Sequence, residues 1–124
     1  MKAYLKQYQQ SPRKVRLIAD AVRGKGLAEA LKTLEFMPKK SAKVLHKLLS
    51  SALSNDNQSD PESALAGNYY IKTLMVDEGP RLRRFRPKAK GKADRFYRRS
   101  SHVTVELGKH TNLTPQLSTK ASEK

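Results

Sequence analysis

Apolar side chains recur every three to four positions in three segments of the first half of the chain, the spacing that one face of an α-helix requires. The first segment lies between Ser11, a favourable N-cap residue, and Gly24, a common helix terminator. The second covers residues 27–36 and stops before Pro38, and the third covers residues 39–55. The pattern therefore predicts three helices, of which the third is the longest.

Three other segments have the pattern of β-strands. Residues 2–8 alternate weakly between apolar and polar side chains, and residues 69–76 are rich in β-branched, aromatic and large apolar side chains. Residues 102–107 alternate cleanly, with valine or leucine at every second position. Together with the helices, these segments predict an α+β fold in which three helices pack on a small three-stranded antiparallel sheet.

Polar segments separate or follow these elements. Residues 55–68 bring Asn, Asp, Ser, Pro and Gly close together, which predicts a loop with a turn of helix at 63–66. Residues 108–124 are polar and aperiodic, which predicts a flexible C-terminal tail. We therefore expect a single domain over residues 1–107.

Charge changes this picture more than any other property. The 124 residues carry 26 Lys and Arg against 11 Asp and Glu, a formal net charge of +15, and only 37% of them are hydrophobic. Ten of the cations and a single acid, Asp94, lie in RLRRFRPKAKGKADRFYRR, residues 81–99. A basic excess of this size favours a polyanionic partner, first a nucleic acid and second an anionic membrane surface.

The basic segment lies between two predicted strands, and this position predicts its shape. The chain must return to the sheet and Gly91 lies near the midpoint, so we expect a long protruding β-hairpin over residues 78–101. Arms of about ten residues would extend about 30 Å from the body. Because an isolated ribbon is marginal in water and its cations repel, we expect loose order until phosphates screen the charge. The alternative is an unstructured basic loop.

Four apolar side chains on the arms have two alternative uses. Leu82, Phe85, Phe96 and Tyr97 are suited to pairing across the ribbon, with Phe85 against Phe96. The three aromatic rings are equally suited to stacking on bases.

Residues that would carry catalysis are scarce. Without cysteine, disulfides and zinc–thiolate sites are excluded and an intracellular protein is favoured. His46, His102 and His110 lie far apart without metal-ligand spacing, and no phosphate-binding glycine motif or nucleophile elbow occurs. Asp-Glu-Gly-Pro, residues 77–80, is better explained as a structural corner than as a pair of catalytic carboxylates. We expect no enzyme activity, no cofactor and no protein metal site.

The sequence also predicts where the protein works. No apolar run approaches the roughly 20 residues of a membrane span, and the start, MKAYLKQYQQ, lacks the apolar region of a secretory signal. We therefore expect a cytoplasmic protein.

Candidate phosphate contacts share a positive charge and lie on the basic segment or on the predicted helices. Two of them occupy the first turn of the first helix, where free N–H groups attract phosphate. The candidates are Arg13, Lys14, Arg16, Lys25, Lys39, Lys40, Arg81, Arg83, Arg84, Arg86, Lys88, Lys90, Lys92, Arg95, Arg98 and Arg99. A DNA-bending protein with a basic ribbon arm is a competing function, and a nuclease is a remote third.

Three stretches resemble one known family. SPRKVRLIADAVRGK, FMPKKSAKVLHKLLSSALSN and, above all, VDEGPRLRRFRPKAKGKADRFYRRSSHVTV are similar to the bacterial large-subunit ribosomal protein number twenty-two, in order and over about residues 3–107. The tail after Gly108 is longer than the family's usual end.

The resemblance implies a structural role in the ribosome. It implies an α+β body on the outer surface of the large subunit near the tunnel exit, and a hairpin that passes through 23S ribosomal RNA to line the exit tunnel. The implied partners are large-subunit ribosomal RNA, neighbouring ribosomal proteins and the nascent peptide, with a role in early subunit assembly and without a membrane or independent homo-oligomer. The implied hairpin tip consists of Arg86, Pro87, Lys88, Ala89, Lys90, Gly91, Lys92, Ala93 and Asp94.

Overall fold

The computed structural model describes residues 1–57 and 66–109 of the chain. Within them three helices and five strands follow one another, with short 3₁₀ turns at Ala66–Asn68 and Ala89–Gly91. In chain order the elements are β1 (Lys2–Tyr8), α1 (Pro12–Val22), α2 (Leu27–Phe36), α3 (Lys40–Asn57), β2 (Tyr69–Glu78), β3 (Leu82–Pro87), β4 (Ala93–Arg98) and β5 (Ser101–Lys109).

β5 is the centre of a three-stranded sheet. The strand order is β1–β5–β2, and both neighbours run antiparallel to β5. Along β5 the side chains alternate: Val103, Val105 and Leu107 are buried, whereas His102 and Thr104 on the opposite face are partly exposed. The α+β class, the three helices and the three-stranded antiparallel sheet predicted from the sequence are confirmed.

The helices cover the inner face of this sheet. α1 packs on β2, while α3 packs on β1 and β5, and their buried side chains join one apolar cluster. Val15 and Ile18 of α1 and Leu45 and Leu49 of α3 are at most 4% exposed. Because full burial of such a side chain contributes about 1.5–3 kcal/mol, this cluster holds β2 and β5 in place, and the basic segment emerges from these two strands.

α1 lies where the sequence indicates, although the side chain of Ser11 does not cap its first turn. Ser11 has the extended backbone of an N-cap residue and Pro12 is the first helical residue, but the Ser11 side chain makes no capping hydrogen bond. At the other end Gly24 follows Arg23 with a φ of +76°, a left-handed conformation that glycine adopts at little cost. The predicted position of the helix and its glycine stop are confirmed.

Three elements extend beyond their sequence patterns. α3 continues through Asn57 into the predicted loop, because adding residues to an established helix costs little. β2 continues to Glu78 and β5 begins at Ser101 and ends at Lys109. Backbone pairing from Tyr69 opposite Lys109 to Glu78 opposite Ser101 prolongs both strands past the residues whose pattern identifies them.

Two predictions fall largely on undescribed parts of the chain. The turn of helix predicted at residues 63–66 lies, apart from its last residue, outside the described residues. Residues 110–124 of the predicted tail also lie outside them.

Arg16 of α1 and Arg23, the residue that follows α1, cover the outer edge of the sheet. β2 is an edge strand, and such an edge presents carbonyls that would pair with another chain. Arg16 donates from Nε and Nη2 to the Val76 carbonyl oxygen at 3.1 and 3.0 Å. Arg23 donates in the same way to Leu74, at 3.3 and 3.0 Å. Side chains from α1 and from its C-terminal end therefore bind the backbone of β2.

Replacing Arg16 with methionine tests this attachment. Arg16→Met should lower the free energy of unfolding by about 1 kcal/mol, because the Val76 carbonyl loses two hydrogen bonds that a thioether does not replace. Urea unfolding followed by circular dichroism measures the change. As control, Arg13→Met removes the same charge from an exposed position of the same helix and should change stability by less than about 0.5 kcal/mol. Equal losses in the two variants would contradict the prediction.

Candidate nucleic-acid interface

The residues between β2 and β5 form a second, two-stranded sheet. β3 and β4 pair antiparallel over their whole length, and every residue from 80 to 99 is exposed. We call residues 80–99 the basic ribbon. Gly79 before it and Ser100 after it are both buried, so the change from body to ribbon is abrupt.

A tight corner at Gly79 joins the basic ribbon to the body. The Gly79 N–H donates to the Ser100 carbonyl at 2.9 Å, and the Ser100 hydroxyl donates to the Pro80 carbonyl at 2.8 Å. A Cβ on Gly79 would lie 2.5 Å from Ser100 Oγ and 3.2 Å from His102 Nε2. Glycine is therefore required by close approach of the two chain segments.

An ion pair lies beside this corner. Arg81 donates to Glu78 from Nε to Oε1 at 2.7 Å and from Nη2 to Oε2 at 2.6 Å. These hydrogen bonds lower the pKa of the Glu78 carboxyl and raise the pKa of the Arg81 guanidinium. A carboxylate held in this way is a structural anion, which agrees with the corner predicted for residues 77–80.

The strand register corrects the expected pairing of aromatic rings. Phe85 lies opposite Arg95, and Phe96 lies opposite Arg84. Since successive residues of a strand point to opposite faces, Phe85 and Phe96 lie on different faces of the ribbon and do not pair. Each face therefore carries one phenylalanine among arginines.

The far end of the basic ribbon has a defined turn. Lys90 and Gly91 have φ of +58° and +68°, both in the left-handed region, so the glycine is located at the predicted turn. Lys88 closes the turn through a 2.7 Å contact from Nζ to Asp94. On one face Arg86 lies over the Phe96 ring, with Cζ 5.5 Å from the centroid, a cation–π distance.

Most cations of the ribbon form no ion pair within the described residues. Arg81 and Lys88 form the ion pairs named above, with Glu78 and Asp94. Within residues 1–57 and 66–109 the other cations of the ribbon have no ion pair. They are Arg83, Arg84, Arg86, Lys90, Lys92, Arg95, Arg98 and Arg99.

The candidate cations of the body divide into two groups. Arg16 binds the β2 backbone, and Lys25 lies 3.3 Å from Glu29, so both have partners inside the protein. The remaining candidates are exposed and have no ion pair in the described part of the chain. They are Arg13, Lys14, Lys39 and Lys40.

The fold brings one body candidate next to the base of the ribbon. Lys14 lines a cleft of about 720 Å³ together with Arg84, Arg98 and Arg99. Gln9 and other uncharged polar residues before α1 also line it. The sequence predicted the cations but neither their proximity nor the glutamines, because an uncharged QYQQ stretch carries no signal of a site.

The described residues contain no group of three or more His, Cys, Asp or Glu able to hold a metal ion. His102 accepts a hydrogen bond at Nδ1 from the Gln7 N–H at 3.0 Å, which is a structural use of the ring. His46 lies partly buried on α3, and His110 lies outside the described residues. None of the described helices is long and apolar enough to span a membrane.

An exposed basic ribbon on a small α+β body is an arrangement suited to a nucleic-acid-binding structural protein. Comparison with known families makes this more specific. Residues 3–108 match the family model described as ribosomal protein L22p/L17e.

Curated proteins from several bacteria give the same result. The chain is 50% identical over 97 residues to the large ribosomal subunit protein uL22 of Desulfotalea psychrophila, covering 78% of this chain and 86% of that protein. It is 45% identical over 107 residues to uL22 of Herpetosiphon aurantiacus, covering 84% and 90%. It is 46% identical over 104 residues to uL22 of Mesoplasma florum, covering 84% and 91%.

The chain therefore belongs to the ribosomal protein L22p/L17e family, as the sequence motifs predicted. It is a structural constituent of the large subunit of the cytoplasmic ribosome and not an enzyme. Membership in this family excludes the DNA-bending protein and the nuclease that the composition left open.

Substitution of Gly79 tests the corner. Gly79→Ala should destabilise the protein by about 1–3 kcal/mol, because the added methyl group overlaps Ser100. Thermal unfolding measures the loss. The double variant with Ser100→Ala should lose less, since it removes the nearest atom. Gly67→Ala, whose added Cβ meets nothing within 4 Å, is the control and should have little effect. A Gly79→Ala protein as stable as this control would disprove the close packing.

Proposed function

We propose that the protein binds 23S ribosomal RNA through the basic ribbon and the start of α1, aids assembly of the large subunit, and lines the exit tunnel with the ribbon. The observation that carries this proposal is the exposure of residues 80–99, with ten cations and one acid. Phosphate groups of RNA would neutralise the positive charge of such a surface. The cations predicted as contacts are the proposed RNA ligands, apart from Arg16 and Lys25, for which a role inside the protein competes.

Release of counterions would make this association favourable. RNA holds condensed cations, and protein cations that replace them release these ions to solution, which makes association favourable and dependent on salt. Contacts of this kind position the protein without reading sequence, so the shape of the folded RNA supplies specificity. Phosphates would also remove the repulsion that destabilises a free two-stranded ribbon.

The proposed position in the ribosome is the one that the family resemblance implies, and the two parts of the molecule are consistent with it. The apolar core belongs to the body, which we assign to the subunit surface near the tunnel exit, beside neighbouring ribosomal proteins. The ribbon extends the structure by strands of six residues, about 20 Å each at roughly 3.3 Å per residue. Its turn, residues 86–94, is the proposed contact with the nascent peptide in the tunnel.

Salt dependence tests the RNA-binding proposal. Affinity for a fragment of large-subunit ribosomal RNA should fall on the order of a thousandfold between about 50 and 200 mM salt, because several cations each replace a counterion. Filter binding at a series of salt concentrations measures it. Replacing Arg83, Lys92 and Arg95 with Gln should reduce the slope of log affinity against log salt by about three.

A matched variant provides the control. Replacing Lys32, Lys43 and Lys47 with Gln removes the same charge from exposed positions of α2 and α3 and should change the slope much less. An affinity that does not depend on salt, or equal effects of the two triple variants, would disprove the assignment to the ribbon.

Deletion of the outer ribbon tests the proposed organisation as one domain, residues 1–107, with a protruding hairpin at 78–101. Removal of residues 84–95 should leave cooperative thermal unfolding intact, because all of them are exposed and outside the apolar core. In sucrose gradients the full chain should sediment with the large subunit, and the deletion variant should do so less completely. Loss of cooperative unfolding would show that the ribbon is part of the folding unit. No function is proposed for residues 108–124.

A further inference from the structure

We propose that the cleft at the base of the basic ribbon binds a single unpaired RNA nucleotide. The inference rests on the proposed RNA-binding function, and it assigns one kind of ligand to one part of that surface. The two walls of the cleft, their charge and their polar groups support it.

One face of the ribbon forms the first wall. Leu82 lies directly opposite Arg98, and Arg84 lies two residues further along β3, so these three side chains belong to the same face. All three line the cleft, and residues 7–14 of the body form the opposite wall. The register therefore places Leu82, Arg84 and Arg98 on the face toward the body and Arg83 on the other face. Tyr97, which lies opposite Arg83, also lines the cleft, whereas Arg83 does not.

The cleft is positive throughout. Lys14, Arg84, Arg98 and Arg99 line it, and its lining within the described residues includes no acid. None of these four cations has an ion pair in the described part of the chain. Four unpaired cations around one cavity favour an anionic ligand such as a nucleotide phosphate.

A second cleft of the protein differs from the first in its charge. That cleft, of about 510 Å³ between α1 and β2, is lined by two aspartates as well as by Arg16 and Arg23. Both arginines there already bind carbonyls of β2. Lys72 is a third cation of its lining, and the two aspartates offset most of this charge, so the second cleft is less positive than the first.

The remaining lining suits a base. Leu82 is 51% exposed and offers an apolar surface to a ring face, while Gln7 and Gln9 offer amide donors and acceptors to a base edge. The cleft volume of about 720 Å³ lies within the range of about 300–1,000 Å³ typical of small-molecule sites. In a duplex the bases are stacked inside, so only an unpaired nucleotide presents both its ring face and its edge.

Hydrogen bonds hold the body wall in place before any ligand binds. Gln10 Oε1 accepts hydrogen bonds from the hydroxyls of Tyr8, at 2.8 Å, and Ser41. Gln7, at the bulge of β1 with a φ of +55°, donates its N–H to His102. Because this wall is already ordered, its side chains lose less entropy when a ligand binds.

Two RNA duplexes of equal length, tested with the full chain, provide the experiment. One is fully paired, and the other carries a single bulged 2-aminopurine nucleotide. The protein should bind the bulged RNA about tenfold more tightly, and acrylamide should quench the 2-aminopurine less in the complex, because the cleft covers the base. Equal affinity for the two RNAs, or unchanged quenching, would overturn the proposal.

Neighbouring arginines on opposite faces are the matched variants. Arg84→Gln should reduce the preference for the bulged RNA to below about threefold. Arg83→Gln removes the same charge from the other face, so it should weaken binding of both RNAs by the same factor and keep the preference. Leu82→Ala should also reduce the preference, with no change of charge. Equal behaviour of the Arg83 and Arg84 variants would contradict the cleft assignment.

The outcomes separate this proposal from the one on which it rests. Salt-dependent binding of both RNAs with equal affinity would refute the nucleotide cleft and leave RNA binding by the ribbon intact. Failure of either RNA to bind in a salt-dependent way would refute both. Circular dichroism and thermal unfolding of each variant distinguish a lost contact from a lost fold.

Discussion

The antiparallel ladder between β2 and β5 is the constraint on which the rest of the structure depends. It ends with Glu78 opposite Ser101, so the chain that leaves the sheet and the chain that returns are already adjacent. Closing the segment between them therefore costs little additional entropy, and the ribbon strands begin in register despite their charge. The buried face of β5, with Val103 and Val105 against the helices, supplies the free energy that maintains this ladder.

Positive charge is used in two different ways on the two sides of that junction. In the body, Arg16 and Arg23 bind backbone carbonyls of an edge strand, and these contacts stabilise the fold. On the ribbon, beyond the Arg81–Glu78 pair and the Lys88–Asp94 contact, the cations have no ion pair within the described residues. The charges of these two body arginines are therefore used inside the fold, whereas the ribbon leaves most of its charge available to an external polyanion, which we propose to be RNA.

Most of the fold could be predicted from the sequence, because local patterns identify its helices and strands. Helical spacing identified three helices, alternation identified the central strand, and Gly91 marked the ribbon turn. The predicted ends of α3, β2 and β5 were less accurate. Helix propagation and strand pairing extend these elements, and no local pattern of residues indicates either effect. The motifs in the ribbon were sufficient to identify the family, because their residues occur in a specific order and spacing.

By itself the sequence determined the class of fold, the basic surface and the family, because these depend on composition, periodicity and motifs. Only the tertiary structure decided that Phe85 and Phe96 lie on opposite faces of the ribbon. A shift of the strand register by one residue would place the two rings opposite each other on the same face. The same holds for the cleft, where Lys14 meets Arg84 and Arg98. Their proximity is a product of sheet pairing between distant parts of the chain, which no pattern within a single segment contains.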